Sequence, residues 1–315
     1  MGLRLGRLRM CLFVVGIFWT VSQSAAAEAP YVIVLGIAQD GGVPQAGSKD
    51  LAAWRDKTLK RHVVCLAIVN PADSARWLIE CTPDFGEQLH MLDTVAPVAA
   101  RPGISGVFLT HAHIGHYTGL IHLGHEAMGA RAVPVFAMPR MREFLESNGP
   151  WSQLARYGNM ELRPLRDNRR VSLGPQLSVI PILVPHRQEF SEVVAYRIDG
   201  PNRSVLFVPD IDSWTDWDQQ GTRVEEVIGD VDVAYVDGTF FADGEIPGRD
   251  MSTFPHPFIV HSMERFASLP RTERGKVRFI HLNHTNPALI PGSKARVMIE
   301  RNGYRMAEEL ERVDL

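Results

Sequence analysis

Three histidines fall close together in the stretch Thr110-His111-Ala112-His113-Ile114-Gly115-His116. Neutral imidazole is the side chain that most often ligates metal ions, and short histidine-rich tracts read as metal sites. The tract follows an apolar run, 104–109, that reads as a buried strand. Other apolar runs end in a similar way, at His186, Asp210, Asp237 and His281. A single histidine at a strand end is usually a hydrogen-bonded surface residue. Recurrence of such ends within one domain points to a site, because α/β folds place their chemistry at strand ends.

Imidazoles plus one carboxylate suit Zn²⁺, with iron or Mn²⁺ as alternatives. An ion with an open position brings the pKa of bound water near neutral and makes hydroxide available. If two ions bind about 4 Å apart, a carboxylate should bridge them, and Asp210 is the candidate. The expected cofactor is therefore one or two ions, Zn²⁺ first.

The elements that must position these groups follow from the apolar runs. Residues 31–36 read as the first strand, and the glycines of Gln39-Asp40-Gly41-Gly42-Val43-Pro44-Gln45 allow an irregular turn after it. That turn lacks the lysine and spacing of a phosphate-binding loop. Runs 62–69 and 77–81 read as a hairpin whose second strand ends in Glu80, with Asp84 capping a helix over 85–91. Strands are expected at 132–138, 177–184, 193–198, 204–208, 231–236 and 277–280. Helices are expected at 139–146, 151–157, 214–220, 223–228 and 257–268. Short elements at 297–299 and 304–310 close the chain. His122, His125 and His256 read as helix or loop residues, and Arg163, Arg166, Arg169 and Arg170 as a solvated loop.

Residues 1–27 stand apart. Arg4, Arg7 and Arg9 precede a short apolar run, 10–21, and Ser24-Ala25-Ala26-Ala27 offers small residues for cleavage. This reads as a secretory signal peptide. The run is short for a membrane span, so no stable membrane insertion is expected after cleavage. One domain, 28–315, is expected, with a periplasmic or secreted location. A net charge of -3 gives no general pull toward nucleic acid, and a small-molecule substrate is expected instead. Cys65 and Cys81 would face each other if the hairpin is centred on Asp73. A cross-strand disulfide and two buried thiols both remain open. The sequence does not reveal the oligomeric state.

Taken together, His111-x-His113-x-Gly115-His116, His186, Asp210 and His281 resemble the metallo-β-lactamase superfamily, whose motif is H-x-H-x-D-H followed by a lone His, a lone Asp and a final His. Gly41-Gly42-Val43-Pro44-Gln45, Pro83-Asp84, Val236-Asp237-Gly238-Thr239-Phe240 and His281-Leu282-Asn283-His284-Thr285-Asn286-Pro287 are similar to its PqqB branch, which serves pyrroloquinoline quinone biosynthesis. The resemblance implies an α/β fold, a four-layer αββα sandwich with the site at one edge of its two sheets. By position, it implies a first metal on His111, His113 and His186 and a second on His116, Asp210 and His281. His116 and Asp210 become the expected catalytic residues. Glu80 stands where relatives carry a carboxylate that orients the histidine loop, and Asp237 is expected to be structural.

Three features depart from the pattern. Gly115 replaces the motif aspartate, so the second ion should bind weakly unless His284 or Asp40 substitutes. Met251-Ser252-Thr253 falls where relatives often carry a Gly-His pair that contacts substrate, for which His256 is the candidate compensating residue and an ordinary loop histidine the other reading. A signal peptide is unexpected for a cytoplasmic biosynthetic enzyme. Three functions follow as expectations: an exported metal-dependent hydrolase of a small ester, lactone or phosphodiester-like substrate; a PqqB-like oxidative step; or a non-catalytic binding module.

Overall fold

The computed structural model describes residues 1–2 and 28–315. Residues 3–27, nearly all of the expected signal peptide, lie outside the described residues. Fourteen strands occur among the described residues. They are β1 (Tyr31–Gly36), β2 (Cys65–Asn70), β3 (Ala75–Ile79), β4 (Gly106–Phe108), β5 (Val133–Ala137), β6 (Met160–Pro164) and β7 (Val171–Gly174). There follow β8 (Leu177–Leu183), β9 (Val194–Asp199), β10 (Ser204–Val208), β11 (Val233–Asp237), β12 (Val277–Ile280), β13 (Arg305–Met306) and β14 (Arg312–Asp314).

They form two seven-stranded sheets, ordered β14-β1-β2-β3-β4-β5-β6 and β13-β12-β11-β10-β9-β8-β7. Helices cover the outer faces, which completes the αββα sandwich. The period-two alternation of strand side chains explains the layering. In β1, Val32 and Val34 point to the core between the sheets, while Ile33 and Leu35 pack with Phe85 and Leu92 of the helix Phe85–Val95. Both faces are covered, which is why these strands read as continuous apolar runs.

Strand direction explains why the predicted groups converge. β3, β4 and β5 are parallel neighbours, as are β10, β11 and β12. β1 runs antiparallel to β2, and β2 to β3, so β1 and β3 share a direction. The same two reversals, through β9, align β8 with β10. Glu80, Thr110–His111, His186, Asp210, Asp237 and His281 therefore lie at or just beyond strand ends that share a direction within each sheet. The loop carrying Asp40 leaves β1 at a matching end.

Three expectations need correction. β6, β7 and β14 had no apolar signal, because β6 and β7 are polar edge strands and β14 is short. The arginine stretch is accordingly not all loop: Arg163 lies in β6 beside Glu161, and Arg170 pairs with Asp199 at 2.9 Å. The hairpin register also differs by one residue. Leu66 pairs with Ile79, which puts Cys65 level with Glu80 rather than Cys81. Cys65 and Cys81 are both free and buried.

Candidate metal centre

The histidine loop is held from both sheets. Tyr196, in β9, donates its hydroxyl to the Leu109 carbonyl at 2.5 Å, fixing the exit of β4. Val194 N–H donates to the Thr110 carbonyl, and Ala112 N–H to Ser191 Oγ. On the other side Cys81 N–H donates to the His116 carbonyl at 2.9 Å.

Within this frame His111, His113 and His186 bring one nitrogen each together. His111 Nε2 is 2.8 Å from His113 Nδ1, which is 3.3 Å from His186 Nε2. A second group joins His111, His116 and Asp210, and a third joins Asp40, His116 and His281. Asp210 stands between the triads. Its Oδ2 lies 2.9 Å from His116 Nε2, 3.2 Å from His281 Nε2 and 3.8 Å from His111 Nε2, while Oδ1 faces His186 Nε2 at 3.8 Å.

The far nitrogen of each imidazole has its own anchor, and the hydrogen-bond network assigns the tautomers. Thr110 Oγ1 donates to Glu80 Oε1 at 2.5 Å and so accepts from His111 Nδ1 at 2.8 Å. His116 Nδ1 donates to the same Glu80 oxygen at 3.1 Å. His186 Nδ1 donates to Asp212 Oδ1 at 2.7 Å, and His113 Nε2 to Glu189 Oε2 at 3.1 Å. Thr239 Oγ1 donates to Asp237 Oδ1 and accepts from His281 Nδ1 at 2.9 Å. In this assignment all five inward nitrogens are bare lone pairs, the form that binds metal.

Three buried atoms at the centre have no hydrogen-bond partner: His116 Nε2, His281 Nε2 and Asp40 Oδ1. Orphaned buried donors and acceptors are costly, and a cation among these three would satisfy all of them. The charges agree. Burial opposes ionisation of Asp210, but His281, His186 and His116 hold its pKa well below the usual carboxylate range. Burial also opposes a proton on His116, yet Glu80, Asp210 and Asp40 raise its pKa well above that of ordinary imidazole, so without a cation these carboxylates favour a second proton on His116, which a bound ion would displace from Nε2. His111 is held well below it, mainly by burial. The donor set fits a metal of borderline softness.

A family model described as Beta-lactamase superfamily domain matches residues 75–282. The chain belongs to the β-lactamase superfamily. Among superfamily relatives, coenzyme PQQ synthesis protein B of Methylobacterium sp. (strain 4-46) is 25% identical over 304 residues, covering 88% of this chain and 97% of the relative. The crystal structure of Zn(2+)-bound PqqB from Methylobacterium extorquens matches with TM-score 0.75 at 22% identity, covering 90% of this chain and 100% of that one. A diphosphatase from the PhnP family matches with TM-score 0.61 at 20% identity, covering 90% and 96%.

Against the superfamily motif, the structure brings together His111, His113, His116, His186, Asp210 and His281, with Glu80 beneath the loop. Of the two substitute ligands, Asp40 reaches the centre, 3.3 Å from His116 Nε2. His284 joins none of the clusters, and its Nδ1 is buried without a partner. His256 is not a plain loop histidine. It is buried, its Nδ1 lies 2.8 Å from Asp237 Oδ2 and 3.6 Å from Asp210 Oδ1, and its ring lies between His186 and His281. Asp237 does more than end a strand: it accepts from Ile211 N–H, Thr239 and His256. Sequence reasoning missed Asp212 and Glu189, and it named Thr239 only within a family motif, without a role. Asp212 and Thr239 each follow a singled-out aspartate by two residues, a weak signal, and Glu189 carried none.

Proposed function

We propose that this chain is a metal-dependent hydrolase of a small ester, lactone or phosphodiester-like substrate, with Zn²⁺ as its ion. The observation that carries this reading is the set of five imidazoles with anchored outer nitrogens and bare inner ones. His111, His113 and His186 would hold one ion, and His116 and His281 a second, with Asp210 between them. Such an ion supplies a Lewis acid and brings the pKa of water close to neutral. The chain's own residues supply orientation. Glu80 and Thr110 keep His111 and His116 aimed inward, and Asp212 does the same for His186. His256 Nδ1 donates to Asp237 Oδ2 at 2.8 Å, inside the wall of the site.

The test is metal content and stoichiometry of purified protein, followed by assays on ester, lactone and phosphodiester substrates. Bound metal and chelator-sensitive turnover are expected. Full turnover by a His111→Ala/His113→Ala double variant would sink the reading.

One observation favours a second reading, a PqqB-like oxidative step: the similarity to coenzyme PQQ synthesis protein B spans nearly the whole of that relative. Iron after anaerobic purification, together with rescue of a strain lacking its own coenzyme PQQ synthesis protein B, would favour it over hydrolysis. Export belongs to the primary proposal and is supported by the basic, apolar and small-residue order of residues 1–27. Cell fractionation tests it, and retention in the cytoplasm would remove it.

A further inference from the structure

We propose that Asp40 is a ligand of the second metal position, replacing from another loop the aspartate that the superfamily motif carries and Gly115 lacks. The inference rests on the metal-dependent reading above and deepens it.

The steric evidence couples the two positions. A Cβ built on Gly115 would lie 2.1 Å from Asp40 Oδ1 and 2.6 Å from Asp40 Cα. Real side chains do not tolerate either distance. The loop after β1 thus occupies the space where a motif aspartate at this position would begin its side chain. Only glycine at 115 lets that loop in, so loss of one carboxylate and arrival of the other are a single structural change.

The loop is tied to the backbone on both sides of the site. Leu282 N–H donates to the Ile37 carbonyl, and Gln39 N–H to the Leu282 carbonyl, each at 2.8 Å. Asn283 Nδ2 donates to Gln39 Oε1. Ala38 bridges to Val63 as well as Leu282. Asp40 therefore hangs from the residues directly after His281. Its carboxylate comes within 4.8 Å of the ligand nitrogens of both His116 and His281. Asp40 Oδ1, His116 Nε2 and His281 Nε2 are all buried and unpartnered. His116 and His281 are themselves fully buried, so no solvent route satisfies their nitrogens.

The test is a Zn²⁺ titration of stripped full-length protein against a competing chelator, with native mass spectrometry for stoichiometry. Wild type should take two ions. Asp40→Ala and Asp40→Asn should each weaken the second ion by about 100-fold or more, above the roughly 10–100-fold typical of losing an outer partner. The first ion should be unaffected. Gly115→Ala removes no donor, yet its methyl must displace the loop, so it should show the same loss. Two ions bound with unchanged affinity by both Asp40 variants would overturn the inference and leave the metal reading standing. A wild type that takes one ion would also overturn it. A wild type that takes none removes the metal reading and this inference together. If Gly115→Ala fails to fold, the Asp40 variants decide the matter.

Discussion

Asp212 Oδ1 accepts a hydrogen bond from His186 Nδ1 at 2.7 Å, so a residue two places after Asp210 orients the imidazole that completes the first triad. Asp212 is more exposed than His186, so removing it should leave the fold intact. We expect Asp212→Ala to weaken the first metal by about 10–100-fold, the usual effect of losing an outer partner. Chelator competition checks this, with thermal melting of the stripped protein as the control. Unchanged affinity would mean that packing alone fixes the ring.

Glu80 should matter for both stability and metal. It is fully buried and accepts from Thr110 Oγ1, His116 Nδ1 and, at 3.4 Å, Thr110 N–H. All its neighbours here are donors. In Glu80→Gln the new amide N–H₂ must meet one of them. One unsatisfied buried group costs about 1–3 kcal/mol. Denaturant unfolding of stripped protein should show that loss. The variant should also bind metal about 10–100-fold less tightly. Glu80 adopts φ 84°, a conformation non-glycine residues rarely hold without a functional reason.

These two residues mark the limit of what the sequence makes legible. Glu80 could be singled out because it ends an apolar run, as could His111, His186, Asp210 and His281. Strand ends carry periodic apolar signals, and parallel topology gathers them. Asp212 and Glu189 sit in loops whose paths are set by tertiary contacts, so no local pattern marks them. His256 looked ordinary because nothing in 251–256 reveals that the loop turns back over Asp237. Asp40 was legible as a carboxylate in a glycine-rich turn and, beside His284, as a candidate substitute for the missing motif aspartate. Its contact with Gly115 spans the two ends of different strands and needs coordinates. The polar edge strands β6 and β7 escaped notice for the opposite reason: solvent on one side removes the apolar run.

The one-residue hairpin shift has a chemical consequence. The loop 71–74 closes between Asn70 and Ala75, with Ser74 at φ 57°, which sets Leu66 opposite Ile79. Cys65 Sγ consequently lies 3.7 Å from the Glu80 carbonyl. Burial pushes both thiols well above their ordinary pKa. Neither should react with a thiol reagent in the folded protein. Both should react after denaturation without any reductant. A requirement for reductant would show a disulfide and contradict this register.

His62, which belongs to none of the candidate metal clusters, links stability to pH. Its carbonyl accepts from Ile37 and Ala38 N–H, each at 2.9 Å, and so supports the loop that carries Asp40. Its ring lies between two carboxylates, Glu309 Oε1 and Glu87 Oε2, each at 3.1 Å. Burial lowers its pKa, but Glu309 and Glu87, with Asp84 nearby, outweigh burial and raise it above the ordinary 6.5. A raised folded-state pKa means that the folded chain holds the proton more tightly than the unfolded chain. The stabilisation is therefore fully present below 6.5 and is lost as pH rises through the folded-state value. The unfolding free-energy difference between wild type and His62→Ala should then be largest near pH 5 and shrink toward about pH 9. Glu309→Gln, which removes the first carboxylate, should flatten that dependence. A difference that grows with pH would reverse the sign and show that His62 is held neutral.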